Sequence, residues 1–420
     1  MRGLSLFYST RCPDCGGYRS LPVLAAAGDD FKDICNDIAK QLYDAQISLG
    51  TIPRALYEKT AAELMDAIEK GMGGASFKFG DPNNTLRAYL QENAFAFSGA
   101  KSLTEMQLFG SLMFDENGVK KSFNQYLKDV SDAGLVFNKT YLETEWNTAE
   151  ATATEAANFQ QFEDDEPLQY STAHDNRVRP WHAILDGTTF YKSDPIASKI
   201  WPPLDWNCRC HVVPGVASKV EKHNVTSLVK EARIPKYFQR NPGITKMVFD
   251  KGHPYYKYSK GDVKEMTAEK VYGMPPVKKL YADFNFPKPE AISSKEEANT
   301  WWKEQAGQLR GSFDQVDNIG NTIRFDNDFR KHIMEDNKED RWRLLPNIPE
   351  MVKSPDEVWT VRTGDKLERY YVKYFDRFPY VLGVNEDARA FTFYEASKDG
   401  EINEGSLIKT RRGVLLFRKN

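Results

Sequence analysis

Soft-metal chemistry is the first possibility raised by the 420-residue chain, because four of its five cysteines come as close pairs. Cys12 and Cys15 form a Cys-x-x-Cys pair in "CPDC". Cys208 and Cys210 sit one residue apart in "PPLDWNCRC", and His174, His182 and His211 lie in the same central stretch. Thiolates and imidazoles are the usual zinc ligands, and paired cysteines are commonly joined by further Cys or His. Two ligand sets follow: Cys12, Cys15, Cys208 and Cys210 as a four-sulfur site, or His182 with Cys208, Cys210 and one more group. Buried thiols without metal, and a disulfide, stand beside them as alternatives. A nucleophilic Cys208 is disfavoured, since no base stands beside it at a helix start, although His182 or His211 can fold back onto it.

A second set of reactive types lies near the C-terminus. The string "FRKHIMEDNKEDRWRLLPNIPEMVKSPDEVW" places Arg330, Lys331 and His332 on a helix, with Arg341 and Arg343 shortly after. "AFTFYEA" puts Thr392 and Tyr394 on one face of a strand, because strand side chains alternate. "IKTRRGVLLF" adds Arg411 and Arg412. Over residues 301–420 the basic and acidic residues number 21 each, so only a local patch can serve a polyanion: Lys409, Arg411, Arg412, Arg418 and Lys419 fall in the last twelve residues with no acid among them.

The elements that must position these residues form five segments. Residues 1–27 are a short cysteine-containing lead. Residues 28–165 are mostly helical: Phe31, Ile34, Ile38, Leu42 and Ala45 recur at three and four residues, as do Leu56, Tyr57, Thr60, Leu64 and Ile68. Asn138 to Phe162 reads as a long, weakly amphipathic helix packing on a narrow face. Residues 166–215 lose the helical period and are dense in Pro, Trp, His and Cys, a composition that calls for a local staple. Residues 216–290 read as an extended arm and linker with little core of their own. Residues 291–420 show helical patterns around Trp301–Gln308 and Phe329–Met351. The strands "EVWTVRT", "ERYYVKYF", "PYVLGVN", "RAFTFYEA" and "GVLLFRK" follow, the rhythm of an antiparallel meander. The fold class is multidomain α+β.

Composition narrows the partners. Hydrophobic residues make up 40% of the chain, enough for real cores, and a net charge of −3 recommends neither nucleic acid nor membrane in bulk. No apolar run reaches the roughly 18 residues of a membrane span. The start does not read as a secretory signal, and few cysteines suit a reducing compartment, so synthesis in a bacterial host cytoplasm is expected.

The run "HDNRVRPWHAILDG", followed by "PPLDWNCRC" and "VVP", resembles the phage Mu F-like minor head (head morphogenesis) proteins. The matching residues are Asp175, Arg177, Arg179, His182, Leu185, Gly187, Asp194, Pro202, Pro203, Asn207, Cys208, Arg209 and Cys210. The resemblance implies a virion component near the portal, with portal and head proteins as partners. On this reading "NCRC" ends a structural signature, and the pairs Asp175 with Arg177 or Arg179, and Asp205 with Arg209, are scaffolding.

The helical His, the Arg after it, the "TFY" strand and the closing Arg-Gly strand are similar to the phage-associated barnase/EndoU/colicin/RelE-like nuclease domains, regarded as toxin modules. That likeness implies RNA as substrate and cleavage with no catalytic cofactor. His332 would move a proton, Arg341 and Arg412 would clamp the phosphate, and Thr392 and Tyr394 would hydrogen-bond it or position the ribose. Arg343 and Arg411 would bind RNA, and Trp342 would stack an unpaired base. An immunity protein is an implied partner. The reading from another class is a purely structural virion protein whose C-terminal domain is a binding module.

Overall fold

The computed structural model describes residues 22–74, 81, 83–258, 266–307, 311–335 and 340–419. The chain divides into two compact units, one of residues 1–74 and 96–260, the other of residues 75–95 and 261–420.

In the first unit, helices α1 (Pro22–Tyr43) and α3 (Asn84–Leu112, from Ala96 onward) pack against α4 (Phe123–Leu135), while α2 (Arg54–Gly71) packs against the helix that follows α4. A π-helical turn, Val136–Tyr141, joins α4 to α5 (Leu142–Gln161). Most of the expected apolar positions are buried: Phe31, Ile38 and Leu42 on α1, and Leu56, Tyr57, Thr60, Leu64 and Ile68 on α2; Ile34 is only half-buried, Cys35 lying inward beside it, and Ala45 is exposed beyond the end of α1. The long helix differs from expectation. α5 buries most of its residues, because its Ala and Thr side chains are short enough for neighbours to approach on several sides. α2 comes so close that a Cβ on Gly71 would stand 2.3 Å from the Glu150 carbonyl oxygen. Trp201 donates its indole N–H to the Glu155 carbonyl at 3.0 Å.

Next come strands β1 (Pro167–Ser171), β2 (Thr189–Tyr191) and β3 (His211–Pro214), antiparallel in the order β2-β1-β3. The segment read as an arm is folded into both units. Phe238, Val248, Phe249, His253 and Tyr255 are buried in the first. In the second, Tyr272 packs edge-on against Trp359 at 5.3 Å and donates to the Gly413 carbonyl.

The second unit contains α6 (Lys295–Ala306), the hairpin β4 (Phe313–Val316) and β5 (Thr322–Phe325), α7 (Asn327–Met334), a 3₁₀ helix (Arg341–Asn347) and α8 (Ile348–Lys353). The meander is β6 (Glu357–Thr363), β7 (Lys366–Tyr374), β8 (Pro379–Asn385) and β9 (Ala390–Glu395). Helix α9 (Glu404–Thr410) then leads to β10 (Val414–Arg418), and the sheet order is β10-β6-β7-β8-β9, all antiparallel. Val358, Tyr371, Leu382 and Phe393 stand abreast and fully buried, the core row of the sheet. The first turns of α3 belong to this unit. Gln91 accepts from Arg369 at 2.7 Å, Glu92 pairs with Arg362 at 2.7 Å, and the Tyr89 hydroxyl bonds Glu386 at 2.7 Å.

Candidate functional site

Two places gather reactive side chains, one in each unit. In the first unit, Pro180 starts a one-turn helix (Pro180–Ala183) that carries His182 inward, while the turn before β3 points Cys208 and Cys210 at it. One ligand atom from each of the three lies within 4.8 Å of the others, and all three residues are buried. His182 Nδ1 stands 3.8 Å from the Cys208 sulfur, and His182 Nε2 is buried with no hydrogen-bond partner among the described residues. The two thiols share a hydrogen bond that pulls Cys208 well below the ordinary thiol range, against the effect of burial and with help from His182. Cys210, the other member of that bond, is pushed up by it and by burial. Cys208, Cys210 and Cys35 are free thiols. Cys12 and Cys15 lie outside the described residues.

Paired charges frame this cluster, with partners exchanged relative to the sequence expectation. Asp175 is bound bidentately by Arg209, at 2.7 and 2.8 Å, and also by Arg177. Arg179 faces Asp205 at 3.5 Å and donates to the Trp206 carbonyl at 2.7 Å. The exchange follows from the fold: Arg179 precedes the buried turn and is itself buried, so it meets the inward Asp205.

In the second unit, α7 and the 3₁₀ helix both pack on β9. This brings the helix of His332, the turn of Arg341 and the strand of Thr392 and Tyr394 together. The Arg341 guanidinium lies over the Tyr394 ring, 5.5 Å from its centre. Arg341 Nε is buried without a hydrogen-bond partner among the described residues. The Tyr394 hydroxyl bonds Ser406 Oγ of α9 at 2.8 Å. Burial raises the Tyr394 phenol, opposed by Ser406 and by the positive charge of Arg341. Tyr370, Gly383 and Thr392 stand abreast on three neighbouring strands. Tyr370 donates to Glu368 at 2.7 Å and feels both Tyr394 and Arg412; burial and then Glu368 raise its phenol, and Arg412 opposes them. The bare backbone of Gly383 admits the Phe391 ring, which a Cβ there would meet at 2.8 Å.

Two residues expected to touch RNA are committed elsewhere. Arg411 is buried and forms a bidentate pair with Glu357, at 2.8 and 2.9 Å, so its guanidinium is spent inside the unit. Burial alone would raise the Glu357 carboxyl, but Arg411 holds it below the usual carboxylate range. Trp342 is a core residue, 5% exposed, with its indole N–H on the Asp340 carboxylate at 3.2 Å. Arg343 is exposed, its cation over the Trp342 ring. Arg412 is half-buried beside Tyr370. Sequence reasoning did not single out Glu368, Tyr370, Phe391 or Ser406. Phe391 and the Tyr of "ERYY" carry only an alternation signal, and Ser406 lies in a short helix with none.

Fold and geometry together define a chain with a helical unit bearing a His/Cys cluster, followed by an α+β unit built on a five-stranded antiparallel sheet. Residues 117–213 match the family described as Phage Mu protein F like protein. Residues 303–418 match the phage-Barnase-EndoU-ColicinE5/D-RelE like nuclease2 family. The chain therefore carries a Mu F-like domain and a phage nuclease-like domain in that order. It is also similar to the Mu-like prophage FluMu F protein of Haemophilus influenzae, 40% identical over 75 residues. That alignment takes in 17% of this chain and spans 18% of the relative's length. No solved structure matches. Among the described residues no helix is long and apolar enough to cross a membrane.

Proposed function

We propose that this chain is a minor head protein of a tailed phage or prophage, placed near the portal of the virion, with a C-terminal unit that cleaves RNA without a metal and serves as a toxin. The observation that carries the enzymatic part is the Arg341–Tyr394–Ser406 arrangement, with Tyr370 and Arg412 beside it. Cleavage by attack of a ribose 2′-hydroxyl needs proton transfer at two oxygens and cations for the charge that builds on phosphorus. Arg341, whose Nε has no hydrogen-bond partner among the described residues, is the cation for a phosphate oxygen. His332, carried on the helix packed against β9, is the proton-transfer group, and Thr392, abreast of Tyr370, orients the ribose. A capsid location, portal and head proteins as partners, synthesis in the host cytoplasm and an immunity protein for the toxin belong to the same reading. So does a structural zinc in the Mu F-like domain, serving the fold and not the reaction.

The test is cleavage of tRNA and total RNA by the full chain in EDTA, compared with His332→Ala, Arg341→Ala and Tyr394→Phe. Products ending in 2′,3′-cyclic phosphate, with rates down at least about 100-fold in the His332 variant, are expected. Intact RNA at micromolar folded protein would overturn the nuclease part. One observation favours a second reading, a binding module in a purely structural virion protein: the equal count of acidic and basic residues in the domain, with Arg411 withdrawn into an internal pair.

A further inference from the structure

We propose that His182, Cys208 and Cys210 are the protein ligands of one zinc ion, and that this ion staples the loop-rich signature segment of the Mu F-like domain together. The inference deepens the zinc part of the reading above and is independent of RNA cleavage.

The geometry decides between a metal site and a chance cluster. Zinc–sulfur bonds of about 2.3 Å and zinc–nitrogen bonds of about 2.0 Å, arranged tetrahedrally, place ligand atoms roughly 3.5–3.8 Å apart. The His182 Nδ1 to Cys208 sulfur distance is 3.8 Å, and all three ligand atoms fall within 4.8 Å. The separations exceed those of a closed tetrahedral site by no more than about 1.3 Å.

The donor set is soft: two thiols and an imidazole, with no carboxylate in the cluster. That chemistry selects zinc over magnesium or calcium, which take oxygen ligands. Exposures of 1%, 3% and 8% for His182, Cys208 and Cys210 mark an enclosed site. Enclosure suits a structural ion better than a reactive one.

The topology says what the ion holds. His182 follows the turn after β1, and Cys208 and Cys210 lead directly into β3, which pairs with β1 from Ser171 opposite His211 to Leu168 opposite Pro214. A metal bond between them closes the 26-residue separation from His182 to Cys208. It thereby fixes both ends of a stretch that has one three-residue strand and little periodic core. Zinc binds both sulfurs as thiolates, so affinity falls in acid.

The test uses the full chain, purified under reducing conditions and equilibrated with zinc alone as probe. Metal analysis is expected to give about one zinc per chain. Cobalt exchanged into the site is expected to show thiolate-to-cobalt charge-transfer bands of two-sulfur strength and tetrahedral visible absorption. Cys208→Ser and Cys210→Ser should lose the metal, His182→Ala should weaken it at least about tenfold, and Cys12→Ser/Cys15→Ser should keep it. If the serine variants fail to fold, the cobalt spectrum of the unaltered chain still counts the sulfurs. Less than about a tenth of an equivalent of zinc in reduced, folded protein would overturn the proposal. So would four-sulfur bands that vanish in Cys12→Ser/Cys15→Ser. Zinc removal with RNA cleavage unchanged separates this site from the nuclease reading.

Discussion

Adjacent arginines near the C-terminus show how much a single residue's neighbours decide. Arg411 and Arg412 read identically in "TRRG", yet one lies inside and one faces the Tyr370 side of the sheet. Arg411 is the better anchored because Glu357 opens β6 beneath it and is itself held by Tyr374 and Trp359, at 2.6 and 2.7 Å. Removing one member of a buried, hydrogen-bonded pair strands the other charge, a loss of about 3–5 kcal/mol. Arg411→Ala is therefore expected to lower stability by that order in urea unfolding followed by circular dichroism, while Arg412→Ala changes it by less than about 1 kcal/mol. Equal stabilities for the two variants would contradict the assignment. On RNA the ranking should invert once folded protein is compared: Arg412→Ala slows cleavage, and Arg411→Ala acts through the folded fraction.

At the scale of elements, legibility follows periodicity. The strands Glu357–Thr363 and Pro379–Asn385 coincide with their alternating strings because each alternation is bounded by a turn that ends it, Thr363-Gly364-Asp365 with Gly364 at φ +63 and the Asn385–Arg389 loop capped by the Asn385 side chain. The helical reading of Phe329–Met351 was too continuous. Its period is interrupted after Met334, and a 3₁₀ turn with Pro346 carries the chain to α8, since proline cannot donate within an α-helix. Of the candidate sites, Cys208, Cys210 and His182 were legible because few residue types bind soft metals. Tyr370 and Ser406 were not, because they come beside Tyr394 only through strand pairing and through the helix that follows β9. Helix α5 illustrates the same limit. A weak moment reads as a narrow packing face, whereas small side chains let several neighbours in at once. Gly71 is the closest of those approaches. Gly71→Ala would set a methyl against the Glu150 carbonyl and the Ala153 methyl. Overpacking of this kind destabilises by about 1–3 kcal/mol. A calorimetric melt is expected to show that loss, and an unchanged melting temperature would mean the α2–α5 contact is looser than drawn.

For the molecule as a whole, the two units keep their buried charge in opposite ways, and pH should tell them apart. In the helical unit Lys101 is fully buried, bonded to Glu145 at 2.6 Å and to the Phe137 carbonyl, in the π turn, at 2.8 Å. With that cation already paired, nearby Glu105 has Asn138 at 2.7 Å, the Cys35 thiol and the Glu145 carboxylate around it. Burial chiefly pushes Glu105 up to about 8 from the ordinary 4.5, with Glu145 adding to the rise and Lys101 and Asn138 opposing it. Between those values the folded unit holds a proton that the unfolded chain releases. Stability from Glu105 is thus complete below about pH 4.5 and is lost as pH rises to about 8, a change on the order of 5 kcal/mol. The sheet unit runs the other way: Glu357, held down by Arg411, contributes stability above the ordinary carboxylate range and loses it in acid. Melting followed by hydrogen exchange at pH 5.5 and 8.5 should therefore show protection falling at the higher pH in α1, α3 and α5 but not in β6 to β8. Glu105→Gln, neutral at every pH, should reduce that dependence, leaving the share of Glu155 on α5, which burial also pushes up to about 8. A slope unchanged in the glutamine variant would mean that Glu105 is not one of the titrating groups.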